Sequence, residues 1–69
     1  MQHEAREYET RIWWSAEDQL FVAQCVEMPG VMAHGDSRAE AASAIQEAIE
    51  ASLDVAQETD FPVPPPARG

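Results

Sequence analysis

The stretch from Ile12 to Ala41, IWWSAEDQLFVAQCVEMPGVMAHGDSRAEA, decides the fold of this chain. Two β-like runs in it are joined by a short acidic turn. Met28-Pro29-Gly30 then interrupts the extended pattern, because proline cannot donate to a strand ladder and glycine permits unusual backbone angles. Gly35-Asp36-Ser37 precedes a helical pattern. This order predicts a compact β-β-β-α unit of the α+β class.

Alternation of apolar and polar residues places three strands around these breaks. The first is predicted from Tyr8 to Ser15, the second from Leu20 to Val26, and a short third from Val31 to His34. Both faces of the second strand are substantially apolar, whereas a strand with one face in water shows more polar alternates. We therefore expect an antiparallel three-stranded sheet in which the second face of this strand meets either the helix or another chain.

A long helix is predicted from Arg38 to Glu58, packed on one face of the sheet. Ser37 and Glu40 have capping-box spacing, in which the serine oxygen meets an unpaired amide and the glutamate reaches back to the cap amide. The apolar stripe expected to face the sheet comprises Ala41, Ile45, Ala48, Ile49, Ser52 and Ala56. The opposite, acidic side comprises Glu40, Glu47, Glu50, Asp54 and Glu58.

The two ends of the chain are expected to add little to this core. Residues 1–7 are polar and mostly charged, so we predict a frayed N-terminus. Residues 61–69 are rich in proline, and because proline lacks an amide hydrogen, any strand there is a short edge strand. At 69 residues, the chain has room for a single domain.

Charge and size narrow the class of function. The chain has 13 acidic and 4 basic side chains and a formal net charge of −9. Such a field repels phosphate backbones and anionic lipids and attracts a basic protein surface, so we expect neither nucleic-acid nor membrane binding. A chain this short buries only about 60% of the surface that its unfolded form exposes, so we expect it to self-associate.

The cysteine content and the N-terminus bear on the cellular compartment. Cys25 is the single cysteine, so it cannot form an intramolecular disulfide, and its apolar surroundings predict a core position. The N-terminal residues do not resemble a secretory signal. The longest strongly apolar run, Leu20 to Ala23, is far shorter than the ~20 residues of a membrane helix. A soluble cytoplasmic protein is expected.

No cluster of residues predicts catalysis. His34, Asp36 and Ser37 are the residue types of a hydrolytic triad, but within four positions of one turn a base rarely touches both of its partners. His3 and His34 are far apart in sequence and Cys25 stands alone, so no pair has zinc-ligand spacing. We therefore predict no catalytic residue, no metal site and no cofactor.

Candidate interface residues fall into an aromatic and an acidic group. Trp13 and Trp14 point to opposite faces of a strand, so one is expected to fill the helix-side core while the other anchors a partner. The acidic side of the helix is either a solvated face or a docking surface for a basic partner. The predicted interface comprises Trp13, Trp14, Glu17, Asp18, His34, Glu47, Glu50 and Asp54.

Several short motifs follow one another in an order that resembles a known family. They are Trp14-Ser15 with Glu17-Asp18, Phe21-Val22-Ala23, Met28-Pro29-Gly30, Ala33 to Ser37, Glu40-Ala41, Ala48-Ile49-Glu50 and Phe61-Pro62-Val63-Pro64. Over roughly Tyr8 to Pro66, their order and spacing resemble the HicB family of antitoxins from type II toxin–antitoxin systems.

The resemblance implies a partial RNase H-like fold, a homodimer or homotetramer, and a small basic HicA toxin as partner. HicA toxins are similar to double-stranded-RNA-binding domains and cleave RNA with a histidine, and a HicB domain neutralises one by covering its RNA-binding surface and active site. Many HicB proteins continue into a ribbon-helix-helix or helix-turn-helix domain. Because this chain ends at Gly69, we expect no C-terminal DNA-binding domain.

Two alternatives to an antitoxin stay open. The first is an orphan oligomeric interaction module of the same family that has no toxin. The second is a divalent-metal-dependent nuclease that uses carboxylates such as Asp18 and Asp36, although neighbouring carboxylates alone do not define a magnesium site.

Overall fold

A three-stranded antiparallel sheet with one long helix against one face makes up residues 4–59, the part of the chain that this computed structural model describes. The elements are a 3-10 turn (Ala5–Glu7), β1 (Thr10–Ser15), β2 (Leu20–Cys25), β3 (Met32–Gly35) and α1 (Arg38–Thr59). The strand order is β1-β2-β3. The predicted α+β architecture is confirmed, whereas the predicted edge strand within residues 61–69 lies outside the described residues.

The turn between β1 and β2 is built around Gln19. Ser15 and Leu20 are the last pair of the ladder, and Gln19 precedes Leu20 with a φ of 59°, in the left-handed region that glycine usually occupies. Its backbone amide donates to the carbonyl of Ser15 at 2.7 Å, and its side-chain amide donates to the carbonyl of Ala16 at 2.9 Å. These two bonds offset a conformational cost of about 1–2 kcal/mol for a residue with a Cβ.

The segment Met28-Pro29-Gly30 ends β2 and turns the chain back, as predicted. The amide of Val31 donates to the carbonyl of Met28 at 2.8 Å, which closes a turn around the proline and the glycine. The amide of Cys25 donates to the carbonyl of Val31 at 3.0 Å. β3 therefore runs directly alongside β2, with Gln24 opposite Met32 at the start of the ladder.

Ser37 and Glu40 cap the start of α1, with one difference from the predicted box. The amide of Glu40 donates to the hydroxyl oxygen of Ser37 at 3.1 Å. The carboxylate of Glu40 accepts from the amide of Asp36 at 2.9 Å, one residue before the expected amide of Ser37. The two bonds give hydrogen-bond partners to backbone amides at the N-terminus of α1, where the helix itself supplies none.

The core lies between α1 and one face of the sheet. Ala23 and Cys25 of β2 and Ile45 and Ile49 of α1 are fully buried. The predicted apolar stripe is confirmed at its buried positions, which are Ala41, Ile45, Ile49 and Ala56. Ser52 of the same stripe is partly buried and donates its hydroxyl to the carbonyl of Ala48 at 2.9 Å, so the polar group is satisfied within the helix.

The predicted frayed N-terminus is wrong for residues 4–7. Ala5 and Tyr8 are only 6% and 4% exposed and belong to the core. The amide of Glu9 donates to the carboxylate of Glu27 at 3.1 Å, which ties this segment to the end of β2. Composition did not indicate the burial of Ala5, whereas Tyr8 was predicted as the first residue of β1 and instead precedes that strand.

Gly35 sets the distance between β3 and α1. A Cβ at this position would lie 2.6 Å from the backbone nitrogen of Ala41 and 2.7 Å from the Cβ of Glu40. Real Cβ atoms do not approach other atoms so closely, and the nitrogen of Ala41 belongs to the helix backbone, which cannot move aside alone. Only glycine allows the helix to start this near the sheet.

We predict that Gly35→Ala destabilises the fold by about 1–3 kcal/mol, because the added methyl group forces α1 away from β3. Gly30→Ala is the matched control, since a Cβ at Gly30 has no atom within 4 Å and Gly30 does not have a positive φ. Urea denaturation followed by circular dichroism measures both. Equal stability of the two variants would contradict the close approach.

Candidate functional site

Two surfaces carry five of the eight residues that the sequence predicts to form an interface, namely Trp13, His34, Glu47, Glu50 and Asp54. The first, the open face, is the sheet face opposite α1, and its strand residues are Arg11, Trp13, Ser15, Leu20, Val22, Gln24, Met32 and His34. The second, the acidic ridge, is the solvent-facing side of α1 and comprises Glu47, Glu50, Asp54 and Glu58, all of which are exposed. The two surfaces point in opposite directions, because the sheet and the helix lie between them.

Trp13 lies on the open face. It is partly buried and stands opposite Val22 of β2, which in turn stands opposite His34 of β3. The guanidinium carbon of Arg11 lies 5.7 Å from the centroid of the indole ring. This distance is typical of a cation–π contact, which holds both side chains against the sheet.

Trp14 points towards the helix side, yet it does not fill the core, so that part of the prediction is wrong. It is 49% exposed and stacks edge-to-face on Phe21 with the ring centroids 5.1 Å apart. The reason is its position at the hairpin end of β1. There the first residue of the helix, Arg38, already covers Phe21, with its guanidinium carbon 5.1 Å from the ring centroid.

A shallow groove of about 430 Å³ lies on the β2–β3 side of the open face. Its apolar lining includes Leu20, Val22 and Met32, and its polar lining includes His34 and Asp18. Met32 is 49% exposed, and His34 is exposed beside it. The structure thus brings two of the predicted residues, Asp18 and His34, to one depression.

Asp18 also shapes the hairpin turn. The hydroxyl of Ser15 donates to its carboxylate at 3.1 Å, and the amide of Asp18 donates to that hydroxyl oxygen at 3.3 Å. Glu17 is exposed in the same turn. Asp18 therefore has a structural role that the sequence analysis did not assign, whereas Glu17 extends into solvent.

The charges of α1 oppose the stability of the isolated helix. Carboxylates of the acidic ridge follow one another at spacings of three and four residues, where like charges repel by about 0.2–0.5 kcal/mol per pair. The negative end of the helix dipole is at the C-terminus, where Asp54 and Glu58 add further negative charge and no basic residue compensates them. The only basic residue of the helix, Arg38, is at the opposite end.

A cluster next to the 3-10 turn contains the buried side chains of Tyr8 and Cys25 and the partly buried carboxylate of Glu27. Burial raises the pKa of the Cys25 thiol, and hydrogen bonds from the backbone of Met28 and Glu27 offset part of this rise. The nearby carboxylate of Glu27, to which the thiol donates at 3.7 Å, raises the pKa further. Burial also raises the pKa of Tyr8, with a smaller contribution from Cys25. Both groups are therefore held in their neutral forms.

Two negative findings apply to residues 4–59. No group of three or more His, Cys, Asp or Glu side chains in this range is arranged to hold a metal ion. No helix in this range combines the length and the apolar character that crossing a membrane requires.

Comparison with known proteins does not assign this chain to a family. A scan against protein-family models, a search of curated proteins and a search of solved structures each return no match. The physical features of the two surfaces are therefore the basis for any functional conclusion.

We predict that Asp54→Lys stabilises the isolated chain by about 0.5–1.5 kcal/mol. The lysine would replace repulsion by attraction to Glu50 and Glu58 and would complement the helix dipole. Glu17→Lys is the control, since it makes the same change in net charge in the hairpin turn. Thermal unfolding at low salt measures both, and an equal rise in Tm for the two variants would show that net charge, not the ridge, is responsible.

A second prediction concerns alkaline pH. Because the folded-state pKa values of Cys25 and Tyr8 lie above their ordinary values of 9.0 and 10.0, their contribution to stability is complete below about pH 8 and is lost as the pH rises further. Cys25→Ala should reduce the loss of unfolding free energy between about pH 8 and pH 10.5. Ile45→Val, which weakens the core without removing a titrating group, should keep the wild-type slope; equal slopes for all three proteins would contradict the prediction.

Proposed function

We propose that this chain is a HicB-like antitoxin, a cytoplasmic protein that binds a small basic HicA-type ribonuclease and blocks its active site without catalysing a reaction itself. The observation that carries the proposal is the acidic ridge. It is a continuous exposed row of carboxylates on one rigid helix, and it costs the free chain stability.

A cationic partner explains why such a costly row of charges is present. A basic surface that docks along α1 converts the repulsion among Glu47, Glu50 and Asp54 into attraction and neutralises the negative end of the helix dipole. The net charge of −9 also raises the rate of encounter with a basic protein through long-range attraction. An RNA-cleaving enzyme needs a basic groove for its own substrate, so an acidic surface of this kind competes for the same groove.

The arrangement of elements supports the same proposal. The described residues have the predicted β-β-β-α order. Among the motifs that carry the resemblance, Met28-Pro29-Gly30 lies at the turn after β2 and Ala33 to Ser37 runs from β3 to the helix start, whereas Phe61 to Pro64 lies outside the described residues. The predicted interface residues on the acidic ridge and those on the open face lie on opposite sides of the chain, so they cannot contact one partner surface together. The acidic ridge is the proposed docking surface for the ribonuclease, so Trp13 and His34 on the open face are left for another contact.

The test combines the purified chain with a short basic protein encoded by an adjacent reading frame and measures RNA cleavage. We expect cleavage to fall as the chain approaches a molar equivalent, and a complex to appear in size-exclusion chromatography. Undiminished cleavage at molar excess without a complex would reject the proposal and favour the orphan module. Cleavage of RNA by this chain alone in magnesium or manganese would favour the metal-dependent nuclease instead.

The contribution of the ridge is tested with Asp54→Lys and Glu50→Lys. Each should lower the association rate by roughly three- to tenfold at low salt and flatten its dependence on salt concentration, because electrostatic steering acts on the encounter. Stopped-flow fluorescence measures the rate. Glu17→Lys is again the control, and a larger effect at Glu17 than at Asp54 would place the docking surface at the hairpin end rather than on the helix.

A further inference from the structure

Residues 4–9, which we call the strap, fold back on the core ahead of β1. Backbone hydrogen bonds of the 3-10 turn close over three residues and shape the strap locally, but they do not join it to the sheet. Two further contacts do so at Glu9. Its carbonyl accepts from the amide of Val26 at 2.8 Å, and its amide donates to the carboxylate of Glu27.

The carboxylate of Glu27 holds the strap against the end of β2. Both of its oxygens accept from the amide of Glu9, at 3.1 and 3.2 Å, and one of them also accepts from the thiol of Cys25 at 3.7 Å. Hydrogen bonds to an ionised acceptor are stronger than those between neutral groups. A single charged side chain therefore joins the strap both to the strand and to the buried thiol.

The strap lies against the second half of α1. It leads into β1 at the end of the sheet where Thr10 pairs with Cys25, whereas α1 begins at the other end, beside Gly35. Because the helix runs along the sheet, its later turns reach the strap, and the 3-10 turn contacts the helix. Tyr8 of the strap and Ile49 of the helix belong to one buried cluster.

The second half of α1 depends on such contacts, because its charges oppose the helix. Three of the four carboxylates of the acidic ridge lie there, namely Glu50, Asp54 and Glu58, at the negative end of the helix dipole, and the last turn contains no basic residue. The cap at Ser37 stabilises the opposite end. Helices in proteins gain most of their stability from packing of their apolar side, so loss of the strap should fray these turns.

We propose that the strap and the second half of α1 form one cooperative unit. Glu27 keeps this unit closed, and the unit opens while the sheet and the first half of the helix stay folded. Proteins open in such contiguous units at a free energy below that of global unfolding. Three of the four carboxylates of the acidic ridge then lie on a rigid helix only while the strap is closed. This opening is a property of the chain by itself and does not depend on the antitoxin function.

Native-state hydrogen exchange of the full-length chain, followed by NMR in increasing urea, tests whether the unit exists. The amide of Val26, which donates to the strap, and the amides of residues 51–56 should exchange with the same opening free energy. Their dependence on urea should be equally weak, because they open together and expose little surface. The amides of Ala23 and Ile45, in the centre of the core, should exchange more slowly and with a steeper dependence. One common slope for all these amides would mean that the chain opens only as a whole, which would overturn the proposal.

The variant Glu27→Gln tests what keeps the unit closed. Glutamine has the shape of glutamate without its charge, so its bond to the amide of Glu9 is weaker. We expect exchange at Val26 and at residues 51–56 to quicken by the same factor, roughly tenfold. Glu17→Gln is the matched control, because it removes the same charge from an exposed residue of the hairpin turn, and it should change neither rate.

Unequal responses would also overturn the proposal. Faster exchange at Val26 alone would show that the strap opens without the helix. Unchanged exchange at Val26 and at residues 51–56 would show that Glu27 does not hold the strap.

Cys25 provides a second measurement that needs no variant. Its side chain is fully buried beside Tyr8 and Glu27, so a thiol reagent such as iodoacetamide reaches it only after an opening. We expect alkylation of the wild-type chain to proceed through the open strap, with the weak urea dependence of exchange at Val26. Alkylation with the urea dependence of global unfolding, measured by circular dichroism, would contradict the proposal.

Discussion

The close approach between Gly35 and the first turn of α1 is the constraint on which the rest of the structure depends. Because no Cβ separates β3 from the backbone of Ala41, the helix starts in contact with the sheet and lies along one face. That placement brings Ile45 and Ile49 onto Ala23 and Cys25, which together form the fully buried centre of the core. It also leaves the other face of the sheet for a different contact.

Much of this fold could be predicted from the sequence because its main features are local. The strand breaks at Met28-Pro29-Gly30 and the cap at Ser37 follow from backbone chemistry within a few residues, and the helix stripe follows from a regular period. Which face of β2 meets the helix could not be predicted from the sequence, because the two alternating sets of residues on this strand are both apolar. That choice depends on the position of Gly35 relative to the sheet, which is a property of the tertiary structure.

The candidate site was predicted less completely than the fold. The aromatic and acidic residues were identified individually, but only the structure shows that Trp13 and the acidic ridge lie on opposite sides and cannot belong to one contact. Trp14 could not be assigned from alternation alone, because burial depends on how far the helix extends along the strand. Ala5 was missed because a single buried alanine within a charged segment has no periodic pattern.

The left-handed conformation of Gln19 has a consequence for how the chain acquires its structure. Isolated two-stranded hairpins are marginal even with favourable turns, and in the β1–β2 hairpin the hydrogen bonds of Gln19 do no more than offset the cost of its left-handed backbone. Pairing of these strands therefore waits for the apolar side of α1, which comes from the other half of the chain. During synthesis, the first half emerges from the ribosome before it can fold, and native structure appears only once the residues of the helix have followed.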